Sequence, residues 1–163
     1  MTDYHPVVSA ITLVLDTAHI PYETFEHAPV RTSEEAAAVR PEFSLVQGTK
    51  SLIVRVKERD GTRHFVLVVV PGDCKFDIKK LRQVLGVKDL RFAYEGEVKE
   101  VTGGVEPGGV PPFGNIFGVP VIADERVFYN ETIICNAGDK RFSIAMQSAD
   151  YQRIVKPQVA DIV

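Results

Sequence analysis

Tryptophan is absent from this chain of 163 residues, cysteine and methionine occur twice each, and histidine four times. Cys74 and Cys135 lie too far apart for a zinc knuckle and are too few for a disulfide framework, so a reducing, cytoplasmic setting is expected and a disulfide is not favoured. His5, His19, His27 and His64 show no ligand spacing, and no metal or cofactor is expected. Long apolar runs are missing too. The longest, Phe65 to Pro71, is far too short to cross a bilayer, and no leader segment is apparent, so membrane insertion is not expected. An excess of basic charge is also lacking, because the formal net charge is -3. Proteins that grip long stretches of nucleic-acid backbone neutralise many phosphates with Lys and Arg, so any nucleic-acid contact here should be local. No nucleophile elbow is present. Gly48-Thr49-Lys50-Ser51 is not a phosphate loop either: that motif needs Gly directly before the Lys and five residues earlier, and position 43 is Phe.

What remains is the composition of an ordinary globular domain, 45% apolar and 25% charged, with residues 1–163 expected to form a single domain. Val7 to Ile20 has the three-four apolar spacing of an amphipathic helix, and Tyr22 to Glu26 reads as a short strand. Thr32-Ser-Glu-Glu35 has the form of a capping box opening an Ala-rich helix that Pro41 ends. Lys50 to Glu58 and Arg63 to Val70 flank Asp60-Gly61, a hairpin signal. The second of these strands is apolar at every position from Phe65 to Val70, so both its faces should be covered. Helices are expected over Phe76 to Leu85, Glu95 to Val101 and Asp150 to Val155. Further strands are expected at Leu90 to Phe92, Val119 to Ala123, Glu131 to Cys135 and Phe142 to Met146. The fold class is mixed α+β, a largely antiparallel central sheet with surrounding helices.

Between Glu106 and Asn115 stand three glycines and three prolines. Proline stiffens the chain and glycine bares it, so the segment is either a plain loop or a rigid binding loop that offers main-chain groups to a ligand. Lys50 shares a strand face with Leu52, Val54 and Val56, at the mouth of an apolar row. Such a lysine either snorkels from a strand end or holds its charge in a cleft. Cys135, before the Asn136-Ala137-Gly138 turn, is either a buried strand cysteine or a thiol near a loop. The basic groups at Lys79-Lys80, Arg82 with Lys88 and Arg91, and Lys140-Arg141 are either solvated charge or a patch that steers phosphate.

Six short words occur in one order: Thr32 to Ala37, Lys50 to Leu52, Val70 to Asp73, Leu85 to Ala93, Gly108 to Gly114, and Asn136 to Gly138. Together they resemble the YbaK/EbsC family, the aminoacyl-tRNA deacylases related to the editing insertion domain of bacterial prolyl-tRNA synthetases. The resemblance implies a free-standing hydrolase that clears wrongly attached amino acids from tRNA, with Lys50 as its catalytic residue. It implies a substrate-binding set of Thr32, Ser51, Gly108, Gly109, Val110, Pro111, Pro112, Phe113, Gly114, Asn136 and Gly138, in which amides near Gly109 and Gly114 would bind the ester carbonyl or sugar. The partners it implies are the tRNA acceptor end with its amino acid and a cognate synthetase. Members of the family remove alanine, cysteine, or serine and threonine. Some alanine-clearing members use a late histidine, and none follows His64 here. Two other functions stay open from sequence: a non-catalytic aminoacyl- or nucleotide-binding module of the same fold, and a hydrolase of small esters or adenylates.

Overall fold

The run Phe65-Val-Leu-Val-Val-Val70 becomes the middle strand of a five-stranded sheet, the position that calls for apolar side chains on both faces. The computed structural model describes residues 3–163. In chain order its elements are α1 (Pro6–Thr17), β1 (Tyr22–Glu26), α2 (Ser33–Val39), β2 (Thr49–Lys57), β3 (Arg63–Pro71), α3 (Ile78–Leu85), β4 (Asp89–Phe92) and α4 (Glu95–Thr102). They continue with α5 (Gly114–Phe117), β5 (Val121–Asp124), a 3-10 turn (Glu125–Tyr129), β6 (Thr132–Asn136), β7 (Phe142–Gln147), α6 (Ser148–Val155) and β8 (Gln158–Ala160).

The larger sheet has the order β4-β2-β3-β5-β8 and the smaller one β1-β7-β6. The hairpin signal holds: β2 and β3 pair antiparallel from Thr49↔Pro71 to Lys57↔Arg63, and the turn closes with Glu58 N–H donating to the Thr62 carbonyl at 2.8 Å. The mixed α+β class with mostly antiparallel pairing is what the structure shows, with one difference. Strands expected in a single sheet divide into two, and β5 and β8 join the larger one parallel to their neighbours.

Leu67 and Val69 of β3 face a core shared with Val8, Ile11 and Leu15 of α1 and with Ile133 and Ile144 of the smaller sheet. Val66, Val68 and Val70 face a second core completed by Leu81 of α3, Leu90, Ile122 and Ile162. Both faces of β3 are therefore dry, as its composition requires.

Two helix boundaries differ from the periodic pattern for local reasons. α1 stops at Thr17 because His19 takes a left-handed backbone (φ 56°) and Ile20 N–H turns back to the Leu15 carbonyl. α3 begins only at Ile78, since Asp77 caps it by accepting from the amides of Lys79 and Lys80. Phe76 stays outside the helix, its ring 5.2 Å from that of Phe92.

Candidate functional site

The start of β2 meets α2 and the Gly-Pro loop around a cavity of about 510 Å3. Thr32 opens the α2 wall, its Oγ1 accepting from Glu35 N–H at 3.1 Å, while the Glu35 carboxylate reaches back to the Arg31 amide rather than to Thr32. Ala36, Ala37 and Arg40 continue that wall, followed by Ser44 and Leu45. Gly48 and the first residues of β2, Thr49 to Leu52, follow, so Lys50 and Ser51 both line the cavity at the strand's open end. The Gly48 carbonyl accepts from Gly72 N–H at 2.7 Å, in a close approach that leaves no room for a side chain at 72: a Cβ there would stand 2.6 Å from the Leu45 carbonyl oxygen.

The far wall is Pro107, Gly108 and Val110, with Asn136 from the end of β6. Gly108 holds φ at +90°, which only glycine adopts without strain. The Asn136-Ala137-Gly138 turn is strapped to this loop twice: Asn136 Nδ2 donates to the Gly108 carbonyl at 2.7 Å, and Gly138 N–H donates to the Gly109 carbonyl at 3.1 Å.

The structure thus brings Lys50, Thr32, Ser51, Gly108, Val110 and Asn136 to one cavity, and leaves the other expected residues off its wall. Pro111, Pro112, Phe113 and Gly114 are buried packing. Phe113 is wholly enclosed and sets its edge on the Tyr151 ring, and the Pro112 carbonyl accepts from the Tyr151 hydroxyl at 2.7 Å. A Cβ at Gly114 would lie 2.5 Å from Val121, so this glycine permits close packing rather than ligand approach. Gly109 and Gly138 face a second cavity instead, and the Gly109 amide is already donated to the Glu106 carbonyl. Gly109 and Gly114 themselves are therefore not on the wall that carries Lys50, and Val110 is the neighbour of Gly109 that is. The distinction between the exposed and the buried half of this loop has no sequence signal, because glycine and proline serve both.

Charge is concentrated at the first cavity. Arg31, Arg40, Lys50 and Lys75 line it against the single carboxylate of Glu34, although the chain as a whole is acidic. The Lys50 side chain makes no hydrogen bond or ion pair among the described residues, and Lys50 lines the cavity. Arg40 is only 5% exposed. Its Nε donates to the Ala36 carbonyl at 3.0 Å and its Nη1 to Ser143 Oγ at 3.1 Å, and no carboxylate pairs with it among the described residues. Burial draws its pKa below the ordinary value for a guanidinium.

Thr49 Oγ1, Ser51 Oγ and Asn136 Oδ1 are buried without a hydrogen-bond partner among the described residues, and all three residues line this cavity. Each such group costs the folded chain on the order of 1–3 kcal/mol. Sequence reasoning missed Arg40 and Thr49. Cys135, by contrast, is a buried strand residue: burial pushes its thiol up to about 12, so little thiolate forms at neutral pH.

The turn that carries Asn136 is held by an acid-sensitive clamp. Asp139 accepts from Arg141 Nε at 2.9 Å and Nη2 at 2.8 Å, and from the amides of Arg141 and His5. These bonds hold its pKa down to about 2. A depressed carboxyl stabilises the fold above its unfolded pKa, so this contribution is complete above about pH 4 and is lost as pH falls toward 2. Asp139→Asn is expected to remove on the order of 1–2 kcal/mol at pH 7 and to flatten the fall in stability between pH 4 and 2, read from denaturant midpoints across that range.

A family model described as the aminoacyl-tRNA editing domain matches residues 27–154. The multifunctional Ser/Thr-tRNA deacylase ProXp-y of Escherichia coli K12 is 30% identical over 141 residues, covering 86% of this chain and 83% of that protein. The prolyl-tRNA editing protein ProX of Acetoanaerobium sticklandii is 29% identical over 90% of this chain and 89% of its own. The proline–tRNA ligase of Methylobacillus flagellatus is 32% identical over 117 residues, which are 20% of its length. Among solved structures, a candidate trans-editing enzyme for prolyl tRNA synthetase superposes with a TM-score of 0.81 at 27% identity, covering 98% of both chains.

Proposed function

The chain belongs to the aminoacyl-tRNA editing domain family, and from that membership together with its cavity we propose that it hydrolyses the ester of mischarged aminoacyl-tRNA in trans. The observation that carries the reading is the unpaired Lys50 side chain, which lines one cavity together with the side-chain-poor Gly108 and with Arg31, Arg40 and Lys75. An aminoacyl ester is already activated. Its hydrolysis needs a positioned water and stabilisation of the developing oxyanion more than it needs a covalent nucleophile. Lys50 supplies the positive charge beside the ester carbonyl, and the vicinal hydroxyl of the terminal ribose helps to activate water.

The excess of cationic side chains at this one cavity draws in the phosphates of the 3′ end, whereas the acidic remainder of the surface limits contact to the acceptor end. Affinity for the rest of the tRNA then comes from a synthetase that presents it. Seryl and threonyl esters are the proposed substrates, because the Ser/Thr-tRNA deacylase above covers most of this chain. Editing is needed here because a synthetase pocket separates amino acids that differ by one small group by only about 1–3 kcal/mol.

The test is a panel of alanyl-, cysteinyl-, seryl- and threonyl-tRNAs, with mischarged tRNA for proline among them. Hydrolysis of seryl- and threonyl-tRNA, without comparable turnover of free aminoacyl esters or adenylates, is the expected result. Hydrolysis of the small esters alone contradicts the reading.

A further inference from the structure

Three aromatic rings stand largely exposed among the described residues: Phe92, at 52%, Tyr94 and Tyr129. Two of them are already engaged. The Tyr94 ring carries the Arg91 guanidinium 4.0 Å from its centroid, and the Tyr129 hydroxyl donates to the Glu125 carboxylate at 3.2 Å. Phe92 has no cation on its ring among the described residues, and its ring neighbour is Phe76, 5.2 Å away. Phe76 is half-buried against the second core and anchors the pair. A lone exposed phenylalanine needs no explanation, but the position of this one does.

Phe92 pairs across the ladder with Val54, so it leaves the edge strand β4 on the face that Lys50, Leu52 and Val54 share. Leu52 stands on the wall of the first cavity, and Phe92 is its diagonal cross-strand neighbour, about 7–8 Å away. A second route leads to the same place. Phe76 follows Lys75, which lines that cavity, is exposed, and has no side-chain hydrogen bond or ion pair among the described residues. On the other side of Phe76, the Asp77 carboxylate is spent on the amides of Lys79 and Lys80. An open ring and an uncommitted lysine thus border one rim of the cavity, and Phe76 links them, next to Lys75 in the chain and to Phe92 in space.

An RNA 3′ end whose terminal ester lies in the cavity has to leave it over the rim, and its unpaired bases stack on an aromatic ring whatever their sequence. A cation beside the ring meets the phosphate that joins successive nucleotides. We infer that Phe92, backed by Phe76, is a stacking platform for one unpaired base of the substrate's 3′ strand, with Lys75 taking an adjacent phosphate. This assignment rests on the proposed deacylase function and states how the RNA portion of the substrate is held. An apolar ring of this kind could also serve a protein partner. The lysine shared by the ring's neighbour and the cavity favours an anionic strand instead.

The experiment measures KM and kcat on seryl-tRNA for wild type, for Phe92→Leu, which keeps apolar bulk against Phe76 without a π face, and for Phe92→Trp, which restores one. Both variants should fold, because the ring they replace is half in solvent. Phe92→Leu is expected to raise KM about 10-fold with kcat unchanged, and Phe92→Trp to stay within about twofold of wild type. The same proteins are then given seryl-tRNAs that lack one of the unpaired 3′ bases at a time. On one of these substrates wild type should lose the same factor of about 10 and Phe92→Leu should lose nothing more. A Phe92→Leu defect of equal size on every such substrate, or one that Phe92→Trp shares, reflects packing of the rim and overturns the assignment. A KM equal to that of wild type on seryl-tRNA alone overturns it too, and a defect that emerges only when a synthetase is added makes the ring a protein contact. Absence of turnover by wild type is instead the failure of the deacylase function. Retention of intact seryl-tRNA on a filter then reads the platform, and equal retention by wild type and Phe92→Leu overturns it.

Discussion

Lys50→Ala is expected to lower the rate of ester hydrolysis by about two to three orders of magnitude, the usual effect of removing one group that stabilises a developing oxyanion. The fold should not notice. Lys50 is only half-buried at the open end of β2 and its side chain has no partner among the described residues, so its removal breaks no ion pair and leaves no cavity in either core. Single-turnover hydrolysis and a denaturant midpoint, measured on the same preparation, separate the two effects. Lys50→Arg is a useful companion, because it keeps the charge but spreads it over a planar group of different reach. Partial activity in that variant indicates that charge is what matters, and full loss that a compact ammonium is required.

Phe113→Ala should have the largest effect on stability, on the order of 3–5 kcal/mol. The ring is completely enclosed, packs edge-on against Tyr151, and anchors the segment that carries Gly108 and Val110 to the far wall of the cavity. A loss of that size is a large part of the 5–15 kcal/mol typical of a domain, so the variant should show a much reduced urea midpoint. Activity measured well below the transition should fall as well, since the loop has lost its anchor. Tyr151→Phe provides the contrast. It deletes only the 2.7 Å bond to the Pro112 carbonyl and should cost about 1–3 kcal/mol. Equal midpoints for Phe113→Ala and wild type would show that the Gly-Pro segment is not held by its aromatic residue.

The parts of the fold that were legible in the sequence are those whose cause is local. Asp60-Gly61 set the hairpin, and the strand parity of β2 put Lys50 at the mouth of a row that continues as Val54 and Val56 into the second core. The uninterrupted apolar run of β3 announced a strand covered on both sides. β8 was not legible: three residues, Gln158 to Ala160, become a strand only because β5 offers them an open edge. The division into two sheets was hidden for the same reason, since pairing between distant strands leaves no mark on either one.

The site divides in a similar way. Lys50, Ser51 and Asn136 lie in words readable from the chain, whereas Arg40 is one arginine before a proline until β7 brings Ser143, 103 residues away, to within 3.1 Å of it. The Gly-Pro loop was legible as rigid and bare. It was not legible that Gly108 faces the cavity while Gly114 faces Val121, because that depends on what lies behind each glycine.

The most direct measurement mixes purified protein, at a concentration well below that of the substrate, with seryl-tRNA and follows release of free serine. Many molecules of serine released per molecule of protein, and almost none with Lys50→Ala, is the predicted result. Seryl-tRNA held by the protein with its ester intact would mean that the cavity binds the charged 3′ end without cleaving it.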